Sequence, residues 1–304
     1  MKKFILPGIL LLIIVVVIFK LDFISSKIAD LLEKDNKVVI TSTNEYKKTD
    51  NFMFVNPSVT YKPYSYNELK NIFYSVINNG WKRFTFFCPE EYSECINDVK
   101  KISGDNILLT HINNYAHPFN NYYNIKTTYY ENGEVTLHIG HLYKEAEIAA
   151  INHKVDTIIA EIITPDMDDE AKIRTVHDYI INNTKYDQEK NNNGTSQYNS
   201  NSAYGLFFEG YAICSGYADA MAIFLNKFGI KNYKVASATH VWNAVYLNEE
   251  WFHIDLTWDD PVSDDNSDNL WHKYLLIKTE TFKSLDTENG EDHIFNHTIY
   301  LELK

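Results

Sequence analysis

The chain has 304 residues, of which 45% are hydrophobic and 23% charged, as is typical of a globular protein rather than a disordered one. This length is enough for two modest domains beyond a targeting segment. The formal net charge is −13 at pH 7. Such acidity argues against a nucleic-acid partner, because binding a phosphate backbone needs a basic face.

An apolar run near the start of the chain extends from Phe4 to Phe19 and follows Lys2 and Lys3. A helix of about 20 apolar residues spans a bilayer, and this run roughly reaches that length by Ile24. The two lysines favour a cytoplasmic N-terminus, which leaves the rest of the chain outside. No small-x-small cleavage pattern follows, so we interpret residues 1–24 as an uncleaved signal anchor, with a cleaved signal peptide as the alternative. The predicted location is the cell membrane, single-pass, with extracellular C-terminal domains.

Residues 25–60 are mostly polar and predict a stalk, and residues 61–163 predict a small α/β domain. Ser65 and Glu68 form a capping box at the start of a helix that ends at Asn79-Gly80. Hydrophobic periodicity and turn residues predict the other elements of this domain: a strand at 84–87, a helix at 92–102, strands at 122–130 and 134–141, and a helix at 145–163.

Residues 164–304 predict a second domain. Its first helix begins at the acidic stretch Asp168–Glu170, where negative charge suits the helix dipole, and ends at Asn182-Asn183. Residues 188–201 form a polar stretch that we interpret as a loop insertion.

Three cysteines are present, and an odd number outside the cell leaves one thiol unpaired. Cys88 and Cys95 lie close together in the sequence, so a local disulfide and two buried free thiols are both compatible with the spacing. A zinc site is less favoured there, because neither a His nor a second Cys pair accompanies them. Cys214 is the remaining thiol and the place to look for chemistry.

Cys214 lies at or just before the start of an apolar helix that ends at Gly229. The unsatisfied amides at a helix N-terminus stabilise a thiolate and can also hold the oxyanion of an acyl-transfer intermediate. Gly210 and Gly216 flank Cys214 and are expected to let a substrate backbone approach closely.

A partner for this thiol is predicted from the strands that follow, at 232–237, 240–246 and 251–256. If Asn248 and Glu249 form the turn of a hairpin, Trp242 faces Asp255. His240 then becomes a diagonal neighbour of Asp255 on the same face of the sheet, within reach of an imidazole–carboxylate hydrogen bond. Such a carboxylate would orient a histidine that faces the thiol.

The second domain resembles the transglutaminase-like superfamily, relatives of the papain-type cysteine peptidases, over about residues 165–262. The motifs that carry the resemblance are Val176-His177-Asp178-Tyr179-Ile180, Lys185-Tyr186-Asp187, Ser202-Ala203-Tyr204-Gly205, Cys214-Ser215-Gly216-Tyr217-Ala218, His240-Val241-Trp242-Asn243 and Asp255-Leu256-Thr257-Trp258-Asp259. The resemblance implies an α+β fold in which the helix bearing the nucleophile packs on an antiparallel sheet. It also implies Cys214 as nucleophile, His240 as base and Asp255 as the group that orients the base.

The function implied by this resemblance is that of an extracellular, membrane-anchored thiol hydrolase or acyltransferase. Its expected substrates are amide bonds of peptides or proteins, including those of the cell wall or cell surface. Tyr204 is a candidate for a second oxyanion donor, and Trp242 and Trp258 are candidates for lining the substrate groove. The chemistry requires no cofactor. The alternative is a non-catalytic adhesion or assembly module that keeps the same fold.

Two pairs of histidines have spacings that a metal could use, His138 with His141 and His293 with His297. Each pair lacks supporting ligands, so we interpret these side chains as surface or core histidines and predict no metal site.

Overall fold

The computed structural model describes residues 61–261, 270–289 and 292–303, with side chains in the last helix described as far as residue 285. The predicted signal anchor at 1–24 and the predicted stalk at 25–60 lie outside these residues and stay predictions. Of the helices within the described ranges, none has both the length and the apolar character needed to cross a membrane.

The N-terminal part of the described chain contains a three-stranded antiparallel sheet, in the order β1–β3–β2, and three helices. Its elements are α1 (Tyr66–Asn78), β1 (Arg83–Phe87), α2 (Cys95–Gly104), α3 (Asn106–Asn114), β2 (Tyr122–Tyr129) and β3 (Glu134–His141). The Ser65 hydroxyl accepts a hydrogen bond from the Glu68 amide at 3.2 Å, as the capping pattern predicts. The predicted helix at 92–102 is shorter than expected at its start, and α3 is an additional helix.

The C-terminal part contains a four-stranded antiparallel sheet in the order β6–β7–β8–β9. Its elements are α4 (Glu145–Ile162), α5 (Asp169–Asn182), β4 (Lys185–Tyr186), α6 (Gln188–Asn193), β5 (Tyr211–Ala212), α7 (Cys214–Lys227), β6 (Asn232–Ala236), β7 (Val241–Leu247), β8 (Glu250–Ile254), α8 (Leu256–Asp259), β9 (Leu275–Ile277) and α9 (Thr279–Asn289). Helix α7 packs on β6 and β7. The mixed α and β architecture, with its helix on an antiparallel sheet, confirms the predicted class for the described residues. The polar stretch after Asp187 differs from the expectation, because it begins with the short helix α6.

The hairpin between β7 and β8 has the predicted register, with Leu247 paired to Glu250. Asn248 and Glu249 form its turn with φ values of 50° and 67°. Two consecutive positive φ values are typical of the tight turn that matches the twist of paired strands. This register brings the end of β8, and Asp255 after it, alongside the start of β7.

Two hydrophobic clusters lie on opposite faces of the second sheet. Tyr233, Trp242 and Ala244 belong to the cluster that also contains apolar residues of α1, α2 and α3. Val245 and Leu247 belong to the other, with residues of α4, α5 and α7. The division predicted at residue 163 stays a prediction, and the hydrophobic packing runs across it.

Cys88 and Cys95 are joined by a disulfide, with their Cα atoms 5.6 Å apart. This is one of the two alternatives that their spacing allows. The bond closes the segment between β1 and α2, and it leaves Cys214 as the free cysteine.

Candidate active site

Cys214 is the first residue of α7, and its side chain is partly accessible. The amides of Gly216 and Tyr217 donate to the carbonyl of Ile213, at 2.9 and 3.2 Å. The amides of Cys214 and Ser215 come before these first hydrogen bonds of α7, where a helix leaves its N-terminal amides without intrahelical acceptors. The thiol therefore lies where a helix stabilises negative charge.

A close chain crossing fixes the start of this helix. A Cβ at Gly216 would lie 2.6 Å from the carbonyl oxygen of Ser200, so only glycine fits there. The space that the sequence assigned to a substrate backbone is thus taken by the chain's own backbone at Gly216. Just before Cys214, β5 pairs in parallel with β4, with Tyr186 opposite Ala212.

His240 lies in the turn before β7, where its amide donates to the Ser237 hydroxyl at 3.0 Å. Its Nε2 lies 2.6 Å from Oδ2 of Asp255. Cys214 and His240 line the same cavity, and Cys214 helps to raise the pKa of the imidazole. Because Nε2 is engaged by the carboxylate, Nδ1 is the ring nitrogen left to interact with the thiol. The structure therefore brings together the three residues that the sequence motifs single out.

Asp255 is buried and is the N-cap of α8. Its Oδ1 accepts from the amides of Thr257 and Trp258 at 3.0 and 3.3 Å. Its Oδ2 accepts from His240 and also from Nε2 of His293, at 2.9 Å. Four donors thus fix the plane of the carboxylate and the direction of each oxygen.

The electrostatics of the His240–Asp255 pair favour an imidazolium and a carboxylate. Burial alone would lower the pKa of His240, but the charge and hydrogen bond of Asp255, together with Cys214, raise this pKa to about 10. Burial alone would raise the pKa of Asp255, but His240 and His293 hold it well below its ordinary value. An imidazolium beside the thiol at neutral pH is the setting in which a cysteine acts as a nucleophile.

Three residues are predicted to support the substrate, and they differ in burial. Trp242 is only 1% exposed, so it cannot line an open groove. Its indole stacks under His240, with ring centroids 5.8 Å apart and an interplanar angle of 18°. Tyr204 is half-buried against Phe208, with ring centroids 4.8 Å apart. Trp258 is half-buried and packs near His293, at 5.3 Å between ring centroids.

His293 is the site residue that sequence reasoning missed. Spacing alone associates it with His297, but His297 lies apart from the carboxylate, with Nδ1 3.1 Å from the Leu303 carbonyl oxygen. His293 reaches Asp255 from 38 residues further along the chain. No local pattern signals such a contact. Of the other pair considered, His138 is exposed on β3.

Two groups of side chains in the described residues bring together atoms that a metal ion could bind. One is His240, Asp255 and His293, which are already joined by hydrogen bonds. The other is His177, Asp178 and His272, in which Asp178 Oδ1 lies 3.0 Å from His177 and 2.7 Å from His272.

A cavity of about 500 Å³ lies beside Cys214 and His240. Four separate parts of the chain line it: α3, the start of α7, the turn between β6 and β7 with its flanking residues, and the C-terminal segment. The lining residues are Asn106, Ile107, Thr110, His111, Cys214, Ala236, Ser237, Ala238, Thr239, His240, Val241, Ile294 and Asn296. None of them is a Lys, Arg, Asp or Glu. The pKa of His111 is lowered by burial, so this side chain adds no charge at neutral pH.

A thiol at a helix start, facing a histidine and carboxylate presented by an antiparallel sheet, defines the papain-like class of protein. Residues 156–256 match the model of the transglutaminase-like superfamily, and this segment contains Cys214, His240 and Asp255. The match confirms the resemblance to the transglutaminase-like superfamily for this segment of the chain.

Several solved structures are similar to this chain, and three illustrate the range. The crystal structure of a TGase has 14% identity and a TM-score of 0.34, and the match covers 61% of this chain and 54% of that one. A candidate cysteine protease from Cytophaga hutchinsonii has 12% identity and a TM-score of 0.27, covering 44% of this chain and 61% of that one. A candidate protease from Parabacteroides distasonis has 10% identity and a TM-score of 0.24, covering 58% of this chain and 43% of that one. The chain thus spans about half the length of the TGase. No curated protein matches it.

Proposed function

We propose that this chain is a thiol hydrolase or acyltransferase, of the cysteine peptidase or transglutaminase type, that acts on amide bonds of peptides or proteins. Cys214 is the nucleophile, His240 the general base and acid, and Asp255 the group that orients the base. The observation that carries the proposal is the 2.6 Å contact between His240 and Asp255, made by a histidine that lines the same cavity as Cys214.

The reaction begins when the Cys214 thiolate attacks the substrate carbonyl carbon, forming a C–S bond and placing negative charge on the oxygen. The Cys214 amide at the start of α7 donates to that oxygen. The imidazolium of His240 gives its proton to the amine as the C–N bond breaks, which leaves a thioester. Water or a second amine then attacks the thioester while His240 takes its proton, and the thiolate leaves.

The cavity favours an uncharged portion of the substrate. Its volume of about 500 Å³ is within the range of pockets that hold small ligands or a short stretch of chain. Apart from Cys214 and the two imidazoles, its side chains offer hydroxyl, amide and methyl groups, which bind neutral polar and apolar groups without burying an unpaired charge. We therefore propose that the segment next to the scissile amide is neutral.

An extracellular location accompanies this proposal. The Cys88–Cys95 disulfide is of the kind that persists in oxidising compartments. The apolar run within residues 1–24 is of the length that anchors a chain in a membrane. We propose a single anchor at the cell membrane, with peptide or protein substrates of the wall or surface within reach.

The test is the rate at which Cys214 of the full-length chain is alkylated by iodoacetamide, measured against pH. Cys88 and Cys95 are paired, so the reagent reports on this thiol. We expect rapid alkylation well below the value of about 8.5 at which an ordinary cysteine ionises. In His240→Ala the low-pH reactivity should disappear, because the imidazolium that stabilises the thiolate is gone.

The matched control is His153→Ala, which removes an exposed histidine from α4 and should leave the profile unchanged. A wild-type thiol that reacts slowly at neutral pH and is indifferent to His240→Ala would contradict the proposal. That result would favour a non-catalytic adhesion or assembly module on the same fold.

A further inference from the structure

We propose that His293 is a positioning residue for the Asp255–His240 pair, so that the working unit is Cys214–His240–Asp255–His293. The inference rests on the proposed function and extends the site beyond the segment that matches the family, which ends at residue 256.

The first support is that both histidines use the same carboxylate oxygen. His240 Nε2 lies 2.6 Å from Oδ2 of Asp255, and His293 Nε2 lies 2.9 Å from it. Because a carboxylate oxygen only accepts, each Nε2 carries a proton. Oδ1 is meanwhile held by two backbone amides, those of Thr257 and Trp258. His293 is thus the only side chain other than His240 that donates to Asp255 within the described residues.

The second support is how firmly His293 is held. Its side chain is 1% exposed. Four aromatic rings surround it, with ring centroids at 4.2 Å for Phe282, 5.2 Å for Trp242, 5.3 Å for Trp258 and 5.3 Å for Tyr274. A side chain packed on all sides has one available orientation, and here that orientation directs Nε2 at the carboxylate.

The consequence is that His293 determines how basic the Asp255 carboxylate is towards His240. A hydrogen bond to the carboxylate stabilises its ionised form, and His293 contributes to the lowered pKa of Asp255. A less basic carboxylate holds the His240 imidazolium less tightly than an unshared one would. The other titratable groups that face the pair are Cys214, Tyr186 and His253, with Asp292, Lys283 and His297 further out.

The test compares His293→Phe with His293→Gln in the full-length chain. Phenylalanine keeps the ring and the aromatic packing but has no donor. Glutamine keeps an N–H at a similar reach. Without the His293 donor, the Asp255 carboxylate is more basic and holds the His240 imidazolium more tightly. The imidazolium then stabilises the thiolate at lower pH, so the low-pH limb of the alkylation profile should move to lower pH. The expected shift is about half a unit to one unit, the worth of one hydrogen bond.

His293→Gln should keep the wild-type limb, and so should His297→Leu, the matched change in the same segment. A limb in His293→Phe that coincides with the wild type would overturn the inference. So would an equal shift in His293→Phe and His293→Gln, because volume rather than the donor would then matter. If His293→Phe fails to fold, as judged by its thermal unfolding, His293→Leu takes its place against His293→Gln.

These outcomes are separable from those of the proposed function. A wild-type thiol without enhanced reactivity defeats the proposed function before His293 is considered. A reactive wild-type thiol that depends on His240 but not on the donor at position 293 defeats only this inference.

Discussion

Trp242 stacks on His240 and is itself held by His253. The indole N–H of Trp242 donates to His253 Nδ1 at 3.0 Å, and His253 Nε2 lies 3.1 Å from the Thr279 hydroxyl. Because Nδ1 accepts this hydrogen bond, the His253 imidazole is neutral and carries its proton on Nε2. Burial keeps it so, because it lowers the pKa of His253 to about 3. Trp242, predicted for the groove, therefore belongs to the support of His240.

Protonation of His253 gives a prediction about acid stability. The unfolded chain binds a proton at this histidine near pH 6.5, whereas the folded chain does not until about pH 3. The stability of the fold with a neutral His253 is therefore fully present above pH 6.5 and decreases as the pH falls below that value. Between pH 7 and 5 the wild type should lose about 2 kcal/mol more free energy of unfolding than His253→Gln.

The measurement is urea unfolding at the two pH values. Glutamine at position 253 can accept from Trp242 and donate to Thr279 without titrating. His153→Gln, a change at an exposed position of α4, should keep the wild-type dependence on pH. Equal losses in the wild type and His253→Gln would contradict the assignment of a neutral, buried His253.

At the scale of elements, a buried ion pair joins α7 to β6. Lys234 Nζ lies 2.6 Å from Asp219 Oδ1, with side chains 6% and 0% exposed. Asn121 donates to the same carboxylate at 2.6 and 2.9 Å, and Tyr143 donates to it at 2.7 Å. The network thus ties the helix that carries Cys214 to the second sheet and to the chain on either side of the first sheet's β2–β3 hairpin.

Removing the cation from this network should be costly. In Lys234→Met the Asp219 carboxylate stays buried without its counter-charge, and we expect a loss of roughly 3–5 kcal/mol in the free energy of unfolding. The double variant Asp219→Asn, Lys234→Met should recover part of that loss, because neither charge is then left alone. Urea unfolding of the two variants measures both effects.

Lys227→Met, on the helix that carries Asp219, provides the matched control. Lys227 pairs with Asp156 at 2.8 Å, but the two side chains are 32% and 60% exposed. Such a surface pair contributes at most about 1 kcal/mol. A loss in Lys234→Met no larger than that in Lys227→Met would contradict the importance of the buried pair.

The elements that the sequence predicts are those with local signals. Ser65 caps α1, Cys214 begins α7, and Asn248–Glu249 turns the β7–β8 hairpin that brings His240 near Asp255. Helix α3 escapes prediction because only Asp105 separates it from α2. Asp105 caps α3 by accepting from the Leu108 amide at 2.9 Å.

The contacts that the sequence cannot predict join residues far apart in the chain. In the sequence, nothing distinguishes Lys234 from an exposed strand lysine, and its partner Asn121 lies 113 positions away. His293 lies 38 positions from Asp255. Both residues are polar and buried, and only the tertiary fold determines which partner compensates that burial.

At the scale of the whole molecule, the candidate site is assembled from three regions of the chain. The segment that matches the superfamily, 156–256, contains the thiol, the histidine and the carboxylate. Ile107 and Thr110 of α3 line the cavity from before this segment, and Ile294 and Asn296 line it from after. Because the hydrophobic packing also joins these regions, we expect the described chain to work as one unit.

The most direct test of the central claim is to look for the thioester itself. The full-length chain is treated with p-nitrophenyl acetate, quenched in acid and weighed intact by mass spectrometry. We predict one acetyl group per chain, on Cys214, that hydroxylamine removes. Cys214→Ala should gain none, and His240→Ala should gain it at least roughly 100-fold more slowly, the usual worth of a general base. A wild-type chain that is not acetylated, or that gains the group as readily in Cys214→Ala, would contradict the account.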